Sequence, residues 1–248
     1  MKVIICGASG RMGKEVVSAV LGGYCSATLA AATDIVLPIV DCPAYTDIAL
    51  VEEDADVIID FSHHSATNAL IAYATKRKLP LVIATTGQTE EEKEAIKKAS
   101  EIIPVFYSGN MSIGIALMVS LVKQAVKVFP NADVEITEVH HNQKVDVPSG
   151  TALMLAEGVR AAREDENNTF CIGRHENGKR PKGEIGIHSL RMGKVIGEHE
   201  VRIDTGSQTI TLSHKSHSRA LFAEGALTAA AYLCGKEKGL FSVNDMLS

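Results

Sequence analysis

Between His140 and Thr151 the chain reads His-His-Asn-Gln-Lys-Val-Asp-Val-Pro-Ser-Gly-Thr, with two imidazoles, an ammonium and a carboxylate in one short stretch. Imidazole titrates closest to neutrality of the side chains, so His140 or His141 can give or take a proton at cellular pH. Lys144 adds a compact positive charge. Pro148 stops any regular element just before Ser149. Ser149-Gly150-Thr151 then reads as a helix start, whose free backbone N–H groups and positive dipole end suit a carboxylate or phosphate. Together these groups describe a site for a small polyanionic substrate that must be protonated. The rival reading is a polar loop that happens to hold histidines, and the clustering weighs against it.

A second site is marked by Gly7-Ala8-Ser9-Gly10-Arg11-Met12-Gly13, which follows a short apolar run and opens a helical pattern. Glycines there permit a tight turn, close backbone approach to a pyrophosphate and close packing of helix on strand. The spacing is Gly-x-x-Gly-x-x-Gly rather than Gly-x-Gly-x-x-Gly, so the motif alone fits an ordinary strand–helix turn equally well. Asp34 shifts the balance. It stands 21 positions after Gly13, and a ribose-binding carboxylate is expected about 20 residues on. No FAD-specific signature accompanies the turn, which favours a nicotinamide dinucleotide over a flavin.

The elements that must position these groups follow from hydrophobic patterning. Apolar runs at residues 3–6, 28–32, 57–59, 81–83 and 102–107 read as buried strands. Helical spacing appears from Val16 to Leu21 and over residues 65–76 and 90–100. Short apolar strands alternating with helices indicate parallel pairing with crossover helices, hence an α/β, Rossmann-like doubly wound sheet. Its strand ends carry Gly7, Asp34, Ser62, Thr85, Thr86 and Asn110, where open α/β sheets bind ligands. After Asn110 the pattern changes. Residues 113–129 form a long apolar helix, 134–139 a strand running into His140, and Ser149 opens another helix. Residues 184–191, 195–204 and 208–214 alternate as strands joined by tight turns, so consecutive strands should pair antiparallel. This describes a second, α+β domain with an open mixed sheet, followed by a helix at 219–233. Residues 173–183, with Arg174, Lys179, Arg180 and Lys182, read as a mobile basic loop, solvated or serving as a substrate lid.

Composition limits the partners. The 248 residues are 46% hydrophobic and 22% charged, with 4% aromatics and a net charge of −5, which argues against nucleic acid. No apolar run approaches the roughly 20 residues that span a bilayer. The N-terminus runs directly into a strand pattern without a signal peptide, so a cytoplasmic protein is expected. Five scattered cysteines lack metal-ligand spacing and read as free thiols, most of them small core residues. Cys171, His175 and His188 form no ligand pattern, and no metal is expected. His63 and His64 can line the nicotinamide end of a cleft, although a strand-end surface position suits them better.

With both sites in view, the chain resembles the 4-hydroxy-tetrahydrodipicolinate (dihydrodipicolinate) reductase family of the diaminopimelate route to lysine. The resemblance rests on Gly-x-x-Gly-Arg-Met-Gly at 7–13, Asp60-Phe61-Ser62, Thr85-Thr86-Gly87 and Asn110-Met111-Ser112. It extends through His140-His141-x-x-Lys144-x-Asp146-x-Pro148-Ser149-Gly150-Thr151 and Gly186-Ile187-His188-Ser189-Leu190-Arg191. It implies a dinucleotide-binding domain at 1–111 completed by 219–248, and a substrate-binding and oligomerisation domain at 112–218. It also implies NADH or NADPH as cofactor, a cyclic dicarboxylate substrate and a homotetramer built through the second domain. Carried over by position, Gly7, Ala8, Ser9, Gly10, Arg11, Met12, Asp34, Thr85, Thr86, Ser108, Gly109, Asn110 and Met111 contact the cofactor. His140 is the proton donor, His141 contacts substrate, Lys144 binds carboxylate and assists proton delivery, and Ser149, Gly150 and Thr151 hold the other carboxylate. Three positions depart from the family: Ala84 replaces a common Gly, Met111 stands where many members have Phe, and no basic residue follows Asp34. Asp34 without a neighbouring cation favours NADH, while Arg11 and Lys14 leave NADPH acceptable. The alternatives are another NAD(P)-dependent diacid dehydrogenase, or a noncatalytic dinucleotide sensor, which has no reason to keep His140, Lys144 and the Ser149 helix end.

Overall fold

A computed structural model describes residues 1–163 and 168–247. The elements run β1 (Lys2–Cys6), α1 (Arg11–Leu21), β2 (Thr28–Thr33), β3 (Ala44–Tyr45), β4 (Val57–Asp60), α2 (Thr67–Arg77), β5 (Leu81–Ile83), α3 (Glu90–Ala99), β6 (Pro104–Tyr107), α4 (Ile113–Val128), β7 (Asp133–His140), α5 (Gly150–Arg163), β8 (Phe170–Ile172), β9 (Ile185–Arg191), β10 (Gly197–Asp204), β11 (Thr209–Ser216), α6 (Ala220–Leu233) and β12 (Gly239–Phe241). They gather into two units, Met1–Ser112 with Arg219–Ser248, and Ile113–Ser218.

The first unit is an all-parallel sheet in the order β12-β6-β5-β4-β1-β2-β3. Val3, Ile4, Ile5, Val57, Ile58 and Ile59 are all fully buried. Such unbroken apolar runs mark strands covered on both faces. Strand order reverses between β1 and β4, which fixes the ligand crevice at their carboxyl ends. α3 begins with a capping box between Thr89 and Glu92, and its first turn holds Glu90, Glu91 and Glu92. Lys97 and Lys98 in the last turn complete the match to the helix dipole. α6 is apolar nearly all round, and Ala223, Ala226, Leu227, Ala229, Ala230 and Leu233 are buried. A Cβ on its Gly225 would lie 1.8 Å from the Met111 carbonyl oxygen, so only glycine lets this helix approach that loop. Leu227 and Leu233 are fully buried on the same helix, each contributing about 1.5–3 kcal/mol.

The second unit is a five-stranded mixed sheet, β11-β10-β7-β9-β8, with α4 and α5 packed on one face. Val134, Ile136, Ile185, Ile187, Val201 and Ile203 point to that face and are fully buried. β10 and β11 form the expected antiparallel hairpin. β9 and β10 do not pair, contrary to the expectation from their short connection. β7 lies between them, antiparallel to β10 and parallel to β9. Adjacency in sequence here gives opposite direction without hydrogen bonding, because the already apolar β7 takes the central place.

Two further expectations are corrected. Only Cys6 is buried among the five cysteines, while Cys25 and Cys234 are exposed and Cys42 and Cys171 are intermediate. The basic segment after β8 is also tied down. Arg174 bonds Glu135 and Glu184 at 3.0 and 2.6 Å, and Arg180 bonds Glu135 and reaches Asp133 at 3.0 Å.

Candidate active site

In the first unit the crevice is built by the turn from β1 into α1. Gly7 has φ +79°, and a Cβ there would lie 2.6 Å from the Phe61 backbone. Gly13 packs the helix onto the turn, where a Cβ would meet the Gly7 carbonyl oxygen at 2.1 Å. The N-cap of α1 is Gly10, with no side-chain cap. The first N–H groups of the helix are therefore left to a ligand, the arrangement that receives a pyrophosphate. Asp34 leaves β2 and accepts a 2.8 Å hydrogen bond from the Ser9 N–H, while Ser9 Oγ donates to the Val36 carbonyl. The Asp34 carboxylate is thus anchored to the glycine turn itself. A cavity of about 340 Å³ adjoins it, lined in part by Gly7, Gly10, Asp34, Ile48, Phe61 and His63. His63 thus lines the same cavity as Asp34.

The loops after β4 and β5 are held by a buried acid that the motif reading left without a role. Asp60 is fully buried and accepts from Ser62 N at 2.9 Å, from Ser62 Oγ and from Thr85 Oγ1 at 2.8 Å. Burial pushes its pKa up, and the hydrogen bonds oppose that shift. Thr85 is buried and Thr86 exposed. Ser108 Oγ donates to the Asn110 carbonyl, and Asn110 Oδ1 accepts from Ser112 N at 2.9 Å. Gly109 is exposed, whereas Met111 is 2% exposed and presents backbone rather than side chain. Arg11 is exposed, Ala8 is buried and Met12 is partly buried.

In the second unit, His140 ends β7 and donates from Nδ1 to Glu138, two residues earlier on the same strand face. Arg191, paired with His140 across the β7–β9 ladder, donates to both Glu138 oxygens at 3.0 and 2.9 Å. Burial alone would raise the Glu138 pKa, but Arg191 and His140 outweigh it and hold the carboxyl at about 2. Burial lowers the His140 pKa below the ordinary imidazole value. Glu138 opposes this shift, while Lys144 and Arg191 add to it. His140 is therefore neutral at rest, with its Nε2 lone pair beside Gly197, where a Cβ would lie 3.1 Å away.

Ser149 is the N-cap of α5. Its Oγ accepts from Ala152 N at 3.2 Å and contacts His199 Nε2 at 3.3 Å. Its N–H donates to Glu138 at 3.2 Å. Gly150 is exposed, with nothing within 4 Å of a would-be Cβ, so an anion can approach the helix end closely. Lys144 Nζ lies 2.8 Å from Asp146, and the Asp146 carbonyl accepts from Arg191 at 2.8 Å. His141 and Thr151 are partly exposed nearby in sequence. Among the described residues no group of three or more His, Cys, Asp or Glu is arranged to hold a metal ion. His140, Lys144 and Ser149 thus belong to one hydrogen-bonded frame. Its framework residues, Glu138, Arg191 and His199, were not recognised from sequence as parts of the site. The signal for Glu138 was its i−2 spacing from His140 on an alternating strand. Arg191 and His199 required knowledge of strand pairing.

Comparisons with known proteins bear on what this frame does. The family description "Dihydrodipicolinate reductase, N-terminus" matches residues 1–111, and "Dihydrodipicolinate reductase, C-terminus" matches residues 114–247. The chain belongs to the dihydrodipicolinate reductase family. The 4-hydroxy-tetrahydrodipicolinate reductase of Caldanaerobacter subterraneus is 43% identical over 248 residues, covering 100% of this chain and 98% of that protein. That of Clostridium novyi is 40% identical, covering 99% and 98%. A solved dipicolinate-bound dihydrodipicolinate reductase from a Paenisporosarcina species superimposes with a TM-score of 0.82 at 25% identity, covering 99% of both chains. A probable dehydrogenase from Thermotoga maritima, at TM-score 0.64 and 12% identity, shares the fold alone. Family membership makes this chain an oxidoreductase acting on a small molecule with a nicotinamide dinucleotide, and the close-packed glycine turn with its uncapped helix end fits that cofactor.

Proposed function

We propose that the protein reduces 4-hydroxy-tetrahydrodipicolinate to tetrahydrodipicolinate with NADH or NADPH, in the diaminopimelate route to lysine. The observation that carries this reading beyond family membership is the frame around Glu138. It joins an orientated imidazole and the N-terminus of α5, and its arginine also grips the loop that carries Lys144. A cyclic dicarboxylate needs those three services. Bound nicotinamide would supply the hydride that replaces the ring hydroxyl, which leaves as water. His140, once protonated at Nε2, delivers a proton to the adjacent carbon, so that one hydride and one proton enter the ring. Lys144 leaves Asp146 to bind one carboxylate and assist that proton. Ser149, Gly150 and Thr151 hold the other carboxylate, and His141 contacts the ring substituents. A neutral resting His140 fits this role, because the incoming dianion favours proton uptake at the imidazole.

The first unit is the dinucleotide-binding domain. Gly7, Ala8, Ser9, Gly10, Arg11 and Met12 surround the pyrophosphate, Asp34 binds the ribose, and Thr85, Thr86 and the backbone of 108–111 contact the nicotinamide half. NADH is preferred and NADPH accepted. The second unit binds substrate and assembles a homotetramer through its sheet, and the protein works in the cytoplasm. The deciding assay is NAD(P)H oxidation with enzymatically generated 4-hydroxy-tetrahydrodipicolinate. His140→Ala should lower turnover by about 10²–10⁴ with little change in dinucleotide affinity. Wild-type turnover in that variant across neutral pH removes His140 as the donor.

A further inference from the structure

Glu138 is fully buried and ionised, and it receives four hydrogen bonds: from His140 Nδ1, from both terminal nitrogens of Arg191, and from the Ser149 N–H. An ionised carboxylate has only lone pairs, about four of them. Three of its neighbours are obligatory donors, so the fourth must donate as well. That requirement assigns the proton of neutral His140 to Nδ1. The nitrogen left over, Nε2, has no protein partner among the described residues and lies over Gly197, which lacks a side chain to block it.

We infer that Glu138 is a positioning residue that fixes the tautomer of His140, directing Nε2 to the substrate while aligning the N-cap of the anion-binding helix. One carboxylate thereby sets the proton donor and the carboxylate cradle in a common frame, since its Oε2 holds the imidazole and its Oε1 holds Ser149. Arg191 serves the same end by saturating the remaining lone pairs and keeping Glu138 charged. Glutamine cannot replace it. Its amide nitrogen would turn N–H groups toward Arg191 or Ser149, donor against donor, and the imidazole would lose its fixed acceptor. The catalytic consequence rests on His140 being the proton donor, whereas the tautomer follows from the geometry alone.

The test is two-bond ¹H–¹⁵N correlation NMR of the ¹⁵N-labelled full chain at pH 8, with His140 identified by the signals lost in His140→Gln. Wild type should show His140 protonated at Nδ1, a measurement that needs no folded variant of Glu138. In Glu138→Gln the Nδ1-protonated pattern should give way to a tautomer mixture. Turnover should fall about 10²–10⁴-fold with KM for the dinucleotide unchanged. The alkaline limb of the kcat–pH profile should move to lower pH, because the imidazolium that must donate the proton loses its counter-charge. An Nε2-protonated His140 in wild type overturns the inference, as does a Glu138→Gln enzyme with the wild-type tautomer, kcat and pH profile. A wild-type protein that fails to turn over the proposed substrate yet keeps His140 protonated at Nδ1 sinks the functional reading and leaves the positioning role standing.

Discussion

Arg191 donates to both oxygens of Glu138, at 2.9 and 3.0 Å, and with the same guanidinium reaches the Asp146 carbonyl at 2.8 Å. One planar fork therefore ties β9 to β7 and pins the loop that presents Lys144. A lysine has the charge but not the fork, and its single ammonium cannot meet three acceptors in this geometry. Arg191→Met leaves a buried carboxylate uncompensated and should cost about 3–5 kcal/mol of stability, with Arg191→Lys losing less. Urea denaturation at pH 8 measures both. Wild-type midpoints for the two variants would mean that Glu138 is neutralised by other means.

Stability should fall as the solution is acidified, and His199 should begin the fall. Burial, reinforced by the His140 ring beside it, pushes the His199 pKa down to about 3. Its folded pKa is thus below the unfolded one. Between the ordinary imidazole value and about 3, the unfolded chain binds a proton that the native protein refuses, so stability drops with falling pH through that window. Glu138, held at about 2, adds a second loss below the usual carboxylate range. The His199 share is on the order of a few kcal/mol. Chemical denaturation at stepped pH should show a shallower acid limb in His199→Gln, which can still bond Ser149. An unchanged limb would place the acid sensitivity elsewhere.

The glycine turn separates folding from binding. Gly7→Ala forces a side chain into φ +79° and against the Phe61 backbone at 2.6 Å, so loss of folded protein is expected. Gly10→Ala meets only the Gly7 carbonyl at 3.2 Å and lies exposed at the helix N-terminus. That variant should fold with a near-normal melting temperature but bind dinucleotide more weakly, as read by fluorescence titration. Equal NADH affinity in folded Gly10→Ala would show that the phosphates lie elsewhere.

The parallel sheet was legible from sequence because its strands are unbroken runs such as Val57-Ile58-Ile59, covered on both faces. β3, β8 and β12 were not, since each is only two or three residues long and lacks an unbroken aliphatic run such as Leu81-Val82-Ile83. Residue chemistry pointed to His140, Lys144 and Ser149 directly. It did not point to Arg191 or His199, whose roles arise only when β9 and β10 flank β7. That arrangement runs against the chain order of the strands. The basic loop misled for a related reason: the charges that hold Arg174 and Arg180 include Glu135, dozens of positions away on β7.

Gly197→Ala tests the space around His140, the proposed proton donor. The added methyl would stand 3.1 Å from His140 Nε2, so the ring must shift by a few tenths of an ångström. Catalytic groups tolerate such displacement poorly, and kcat should fall while KM for the dinucleotide holds. Unchanged turnover would mean that Nε2 is not the reacting nitrogen.

The proposed preference for NADH turns on Asp34. Its Oδ2 is engaged by the Ser9 N–H at 2.8 Å, which leaves Oδ1 for a ribose hydroxyl in the proposed reading. A 2′-phosphate there meets like-charge repulsion. The residues that follow, Ile35, Val36 and Leu37, are exposed and apolar, so they supply no countercharge. Arg11 and Lys14 are exposed on the first turn of α1 and within reach in sequence to answer a phosphate. The expected result is a higher kcat/KM with NADH and measurable activity with NADPH. Asp34→Ser should erode that preference by removing the repulsion, and it should also loosen the glycine turn by removing the Ser9 acceptor. The KM for NADH should then rise while the KM for NADPH rises less or falls. A wild-type preference for NADPH that disappears in Arg11→Ala would reverse the assignment, making Arg11 rather than Asp34 the residue that reads the ribose.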